Sequence, residues 1–191
     1  MLTAPQQVAQ IAPTSRSFTF DEYMAMGRAG ILDEDERVEL ILGRIVEMSP
    51  IGDPDSECVR HSNQLFVRLV GDAGMVSPQL PIRIGDHSAP QPDIAILRPG
   101  SYRDRTPAPE DILLLIEIAD SSIAYDRAIK GPLYAAAGIP EYWILDLTTS
   151  TLAVYREPAT DGYRSLQTIA ADGAVAPLAF PTDVRVADLL G

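Results

Sequence analysis

Cysteine, lysine and tryptophan occur once each in this 191-residue chain, as Cys58, Lys130 and Trp143. A single cysteine excludes an internal disulfide framework and a cysteine-based zinc site. Two histidines, His61 and His87, are too few for a His-rich metal cage. No run approaches about 18 uninterrupted apolar residues, so no membrane-spanning helix is predicted. Met1 to Arg16 lacks the basic start and long apolar core of a secretory signal. Bases are scarce beside acids, 15 against 27, for a net charge of −12. That balance argues against a chain-wide basic surface for duplex DNA. It leaves room for a local basic groove, or for carboxylates bridged to phosphate by a metal. Also missing are the P-loop, the dinucleotide-binding glycine fingerprint, the H-E-x-x-H zinc motif and the G-x-S-x-G nucleophile elbow. These absences predict a soluble cytoplasmic protein with no membrane partner.

The chain is 46% hydrophobic, enough for a proper core at this length without staples. Residues 1–16 read as a mobile tail and 17–191 as one domain. Thr19 and Glu22 have capping-box spacing, which opens a short helix from Phe20 to about Arg28. Arg37–Leu42 and Arg44–Met48 read as two strands around Gly43, and Ser49–Glu57 as a loop. Apolar spacing from Ser56 to Val70 predicts an amphipathic helix. Met75–Ile84 reads as a strand whose Pro78 and Pro81 suit an edge. Pro92–Leu97 reads as another strand, followed by a long polar loop from Arg98 to Asp111. Ile112–Ala119 is almost wholly apolar, the pattern of a central strand buried on both faces. A helix over Tyr125–Ala137 stops at Gly138 and Pro140. Strands follow at Tyr142–Asp146, Thr151–Arg156 and Tyr163–Ile169, and Leu178–Gly191 closes the body. The order predicts a mixed α/β core, without regular βαβ alternation.

Within that frame Glu117 is the strongest anomaly. A carboxylate inside a Leu/Ile run is costly to bury unless it is paired or binds a cation; the plain alternative is a strand-end glutamate that has reached solvent. Asp93 heads the preceding strand. Neighbouring strands lie roughly 4.8 Å apart, so acids at corresponding ends can share one ion. Two carboxylates plus waters suit magnesium. Otherwise Asp93 simply caps a turn. Asp126, Lys130 and Tyr134 fall at i, i+4 and i+8 on one helix face. If that face packs over the strand end, Lys130 reaches the acids and can orient or deprotonate a water or neutralise phosphate charge. If not, Lys130 forms an ordinary exposed pair with Asp126. Gln79 and Gln91 are weaker candidate site liners. His61, in a polar helical turn, reads first as a surface residue. Arg98, Arg103 and Arg105 in the long loop, with Arg127, are candidate phosphate contacts, or merely solvated.

Taken together, these residues resemble the PD-(D/E)XK nuclease superfamily, and within it the Uma-two family of restriction-endonuclease-like proteins. The resemblance runs from about Phe20 to Arg156. It is carried by Phe20-Asp21-Glu22-Tyr23, Val38-Glu39-Leu40 to Met48-Ser49-Pro50, Gln91-Pro92-Asp93-Ile94-Ala95, Ile116-Glu117-Ile118-Ala119-Asp120-Ser121, Asp126-Arg127 with Lys130, and Gly138-Ile139-Pro140-Glu141-Tyr142-Trp143-Ile144-Leu145-Asp146. It implies a restriction endonuclease-like core, a mixed central sheet flanked by helices, with an N-terminal helix and β-hairpin. It implies Mg2+ or Mn2+ held by Asp93 and Glu117, with Lys130 as the catalytic lysine. His61 matches a recurring histidine near the site, and Glu39 a recurring hairpin acid. The superfamily's usual lysine two residues after the acid is absent, since Ala119 stands there; Lys130 replaces it from the next helix.

The leading expectation is thus a divalent-metal-dependent endonuclease acting on DNA. A homodimer is expected because cutting both strands calls for two sites, and the apolar stretch Val184–Leu190 offers a contact. The alternative is a catalytically inactive nucleic-acid-binding or oligomerisation module on the same fold, which the acidic balance favours over a strong non-specific nuclease. A hydrolase of a smaller phosphate substrate is a third reading.

Overall fold

The computed structural model describes residues 15–33, 35–48 and 53–191. The tail expected over 1–16 lies outside these residues as far as 14. Phe20–Arg28 forms α1, opened by the expected capping box: Thr19 accepts from the Glu22 N–H, and Glu22 accepts from the Thr19 N–H. Val38–Ile41 (β1) and Arg44–Glu47 (β2) form an antiparallel hairpin. Its turn holds Leu42 and Gly43 at φ 50° and 77°. A Cβ on Gly43 would also meet the Ser17 side chain at 2.5 Å, so glycine is required there.

The long helix α2 spans Asp53–Val70, starting earlier than its apolar periodicity suggests. The expected loop Ser49–Glu57 is therefore helical from Asp53; residues 49–52 lie outside the described residues. Proline is tolerated in a first helical turn, so Pro54 is no obstacle. Met75–Pro78 forms β3. The strand predicted to reach Ile84 ends there, because Gln79 takes φ 50° and the chain turns away. The remaining strands are β4 (Ile94–Leu97), β5 (Ile112–Ala119), β6 (Glu141–Asp146), β7 (Thr151–Ala159) and β8 (Gly162–Ile169).

These six strands form one sheet in the order β3-β4-β5-β6-β7-β8, with β3 on the edge, as its prolines require. Only β5 and β6 run parallel. Parallel neighbours need a crossover, and a helical stretch supplies it: α3 (Ile123–Tyr125), a π-helical turn over Asp126–Lys130, then α4 (Gly131–Ala136). The helix predicted as continuous α from Tyr125 is thus interrupted, its Gly131 N–H bonding back five residues to the Asp126 carbonyl.

The middle of the sheet, β4 to β6, is buried on both sides. Leu114, Ile116 and Ile118 of β5 share a core with Phe66 of α2, Trp143 and the C-terminal Val186 and Leu189. Leu115 and Ala119 share the opposite core with Tyr134, Tyr142 and Ile144. A third cluster, Phe20, Tyr23, Val38, Leu40 and Ala89, fastens α1 and the hairpin. The short strands β9 (Ala174–Val175) and β10 (Val184–Arg185) pair, and α5 (Val186–Leu190) follows. Val184, Val186 and Leu189 are buried within the chain itself, so the apolar segment expected to offer a dimer contact is already covered. Trp143 and Tyr142 are core residues, as read from sequence. Among the described residues, no helix is long and apolar enough to cross a membrane.

Candidate active site

The site forms where β4 begins and β5 ends. Ile94 pairs with Ile116 and Ala95 with Leu115. Extending that antiparallel register by one residue sets Asp93 opposite Glu117, and directly opposed residues project from the same face of a sheet. The alternation along β5 puts Glu117 on the side of Leu115 and Ala119, beneath the helical crossover. Asp93 is fixed by its neighbours: Oδ2 accepts from the Ile118 N–H at 2.8 Å and Oδ1 from Gln79 Nε2 at 3.4 Å.

The π turn delivers the lysine. Lys130 Nζ lies 3.1 Å from Glu117 Oε1, 3.0 Å from Glu39 Oε1 and 3.8 Å from Asp126 Oδ1. It is only 4% exposed, Glu117 4% and Glu39 2%, so this is a buried cluster and not the surface pair that the helix spacing also allowed. Tyr134 donates to Glu117 Oε1 at 3.0 Å, and Ser122 donates to Asp126 Oδ2 at 2.7 Å. Glu39 reaches in from the hairpin and also accepts from the Gln91 N–H at 2.6 Å. Gln91 Nε2 in turn donates to the Val38 carbonyl, at 3.0 Å. Glu39 therefore ties the hairpin, the segment leading to Asp93 and the lysine together.

Burial raises the Glu117 carboxyl well above its ordinary value. Lys130 opposes that rise, and Asp126, Asp93 and Glu39 add to it. Burial likewise raises Asp93, against the hydrogen bonds from Ile118 and Gln79, and raises Asp126 against Lys130. Burial pulls Lys130 down, but Glu117, Glu39 and Asp126 outweigh it and hold the ammonium above its usual range. The lysine's ammonium is thus shared among Glu117, Glu39 and Asp126.

These groups border a cavity of about 290 Å³. Its wall carries Glu39, Glu47, Asp93, Glu117, Asp120 and Asp126, against only Arg37 and Lys130 as cations. Oxygen donors in excess of positive charge are what a hard divalent cation takes. Among the described residues no group of three or more His, Cys, Asp or Glu side chains is arranged to hold an ion alone. The donor set, carboxylate oxygens with few competing cations, therefore fits a hard divalent cation that keeps much of its water shell.

Not every candidate from the sequence arrives here. Asp93, Glu117, Lys130, Glu39 and Asp126 line the cavity, while Gln79 and Gln91 stand behind it, bonded to Asp93 and Glu39. His61 is on α2, half-exposed, bonded to Glu57 at 3.0 Å and beside Gly191, away from the cavity wall. Arg98 donates to the Glu110 carbonyl at 2.9 Å, and Arg105 forks onto Asp111 and lies over the Tyr102 ring. Arg127 lies 3.4 Å from Asp146. Arg103 is exposed in the same loop as Arg98 and Arg105, and none of the four lines the cavity. Arg37, Asp120, Ser121, Ser122 and Tyr125 do, and sequence reasoning missed them. Ser121 and Ser122 follow directly on Glu117's strand, which was the available signal. Arg37 had none beyond preceding the hairpin.

A mixed sheet that sets two carboxylates on adjoining strand ends, beside a buried lysine, has the layout of a restriction-endonuclease-like protein. The family described as "putative restriction endonuclease" matches residues 20–188, and the chain belongs to that family, Uma-two (Uma2). A solved structure described as a "putative nuclease", from Anabaena variabilis, has the same fold. Its TM-score is 0.71 at 19% sequence identity, over 91% of this chain and 97% of that one. No curated protein matches.

Proposed function

We propose that this protein is an endonuclease that hydrolyses DNA phosphodiester bonds with the help of a divalent cation, Mg2+ or Mn2+. The observation that carries this reading is the placement of Asp93 opposite Glu117, with Lys130 Nζ 3.1 Å from Glu117. Asp93 and Glu117 hold the cation, which when bound supplies Lewis acidity toward the phosphate and lowers the pKa of water. The chain's own residues do the rest. The Ile118 N–H and Gln79 fix the Asp93 carboxylate. Tyr134 and Lys130 fix Glu117. Lys130, which the surrounding carboxylates hold above its usual pKa range, is suited to orient the attacking water by hydrogen bonding and to offset charge that develops on the phosphate. Arg37 offers a further positive group at the cavity wall; Arg98, Arg103, Arg105 and Arg127 lie away from that wall, and contact with flanking phosphates through them is part of the proposal. His61, on α2, lies away from the cavity wall, bonded to Glu57.

Because carboxylates dominate the cavity wall, a bound cation would offset their repulsion of an incoming phosphate. Calorimetry with MgCl2 or MnCl2, followed by cleavage assays on single-stranded, duplex and small phosphodiester substrates, tests this reading. Saturable cation binding and chelator-sensitive cutting of DNA are expected. A folded protein that binds neither ion at millimolar concentration would instead be the inactive module that the net charge of −12 favours. Cutting confined to small esters would replace DNA as substrate. A homodimer is proposed for double-strand cleavage, with its contact away from the buried C-terminal segment; sedimentation at several concentrations tests it.

A further inference from the structure

Tyr125 ends α3, immediately before the π turn, and lines the cavity with Glu39, Glu117, Asp126 and Lys130. Among the described residues, its hydroxyl is the one buried side-chain polar atom without a hydrogen-bond partner. A hydroxyl removed from water and left unpaired is destabilising, and native proteins rarely retain one without a use. The other phenols of this region are engaged: Tyr134 donates to Glu117, Tyr23 to the Val38 carbonyl and Tyr142 to the Asp126 carbonyl. Several of the cavity's carboxylate oxygens are engaged too. Glu117 Oε1 takes Lys130 and Tyr134, Glu39 Oε1 takes Gln91 and Lys130, and Asp126 Oδ2 takes Ser122. What the cavity keeps in reserve is therefore a neutral donor among carboxylates. Burial, with Glu39 next, raises the phenol's pKa, so it remains a donor through the neutral range.

An uncommitted neutral donor in an acidic, cation-binding cavity suits an anionic oxygen that arrives together with the cation. Lys130 is shared among three carboxylates, which limits what it can offer an incoming phosphate. We infer that the Tyr125 side chain, which borders the cavity, turns its hydroxyl into it to donate a hydrogen bond to a non-bridging oxygen of the bound phosphodiester, making Tyr125 a substrate-contacting residue. This rests on the nuclease reading above and adds a residue to it.

The test is Tyr125→Phe in the full chain, read three ways. Steady-state cleavage of a duplex oligonucleotide in Mg2+ should show kcat/KM about 10- to 100-fold lower, the range for one hydrogen bond to a charged partner. The melting temperature without metal should be unchanged or higher, since no bond within the protein is lost. Mg2+ affinity by calorimetry should be unchanged. An active wild type matched by an equally active Y125F overturns the role of Tyr125 and leaves the nuclease reading standing. A clear fall in melting temperature overturns it as well, by showing a structural partner for the hydroxyl. A large fall in Mg2+ affinity assigns the hydroxyl to the cation's surroundings and also overturns it. A wild type that binds Mg2+ but cuts no DNA overturns the nuclease reading and this inference together.

Discussion

Two glutamates lie deep in this sheet, one on each of its parallel strands, and they have opposite surroundings. Glu141, at the start of β6, is fully buried. Its Oε1 accepts from Trp143 Nε1 at 2.9 Å and from Arg156 Nε and Nη2 at 2.8 and 2.6 Å; its Oε2 accepts from the Leu178 N–H at 2.7 Å. Arg156 also donates to the Ala176 carbonyl at 2.6 Å. That network pairs one acid with one base, closes on itself and joins β6, β7 and the segment near Leu178. Glu117, near the end of β5, shares one ammonium with Glu39 and Asp126 and faces Asp93 across a cavity. Burial of an acid therefore does not mark a functional site. The mark is a buried acid left short of positive charge where an ion can enter. A satisfied pair specifies structure, while an unbalanced one stores affinity for a cation.

The sharpest break of that contrast removes the two carboxylates proposed to hold the cation. Asp93→Asn and Glu117→Gln should each lower metal-dependent cleavage by about 1,000-fold or more, in line with the several kcal/mol a catalytic metal supplies. Both should leave the metal-free fold intact or slightly more stable, because each removes a buried charge that lacked a full partner. Cleavage rates with thermal melts on the same samples check this. Glu141→Ala should do the reverse, costing about 3–5 kcal/mol of stability by stranding Arg156, with activity per folded molecule retained. Lys130→Met combines both effects: a similar loss of stability and roughly 100- to 10,000-fold lower turnover. Denaturant melts beside kcat separate its two consequences.

This contrast also explains what could be read in advance. The central strand was legible because Ile112–Ala119 is apolar at nearly every position, and Glu117 stood out against it. Glu141 raised no such flag, since it stands at the boundary between a helix stop and a strand. The fold class and the pairing of Asp93, Glu117 and Lys130 followed from local pattern and family resemblance together. Three things did not. The π turn leaves no composition signal, because Asp126–Lys130 suits α-helix equally well. The cavity wall from Arg37 to Glu47 depends on how the hairpin docks, which the Phe20, Tyr23 and Leu40 cluster decides in three dimensions. The arginines of the long loop looked like a phosphate track in one dimension, yet Arg98 and Arg105 bond to Glu110 and Asp111 within it.

A gentler probe is pH. Asp93, Glu117 and Asp126 all have folded-state pKa values raised by burial, so the folded protein retains protons that the unfolded chain has lost. Their contribution to stability is fully present below the ordinary carboxylate range and is lost as pH rises through the raised values. Lys130, held above its usual range, stays charged throughout that window. The melting temperature of the metal-free wild type should therefore fall relative to Glu117→Gln as pH rises from the carboxylate range, and Mg2+ should close the gap. A gap that stayed constant with pH would mean that Glu117 ionises as easily in the folded chain as in the unfolded one.

The smallest expected effect concerns how Asp93 is held. Gln79 sits at φ 50°, its N–H donating to the Asp93 carbonyl at 3.1 Å and its side chain reaching Asp93 Oδ1 at 3.4 Å. A non-glycine residue in the left-handed region is strained, and that strain persists where the surroundings hold it. Here it ends β3 and aims the amide at the Asp93 carboxylate. Gln79→Ala removes the amide and keeps the strain, whereas Gln79→Gly removes both. Both variants should weaken Mg2+ binding equally, by about 2- to 10-fold for one long hydrogen bond. Gln79→Gly should melt higher than Gln79→Ala, since glycine adopts this φ without steric cost. Equal affinities with unequal melting temperatures would separate the amide's hold on Asp93 from the backbone geometry that delivers it. Unchanged affinity in both would leave the Ile118 N–H as sufficient to orient the carboxylate.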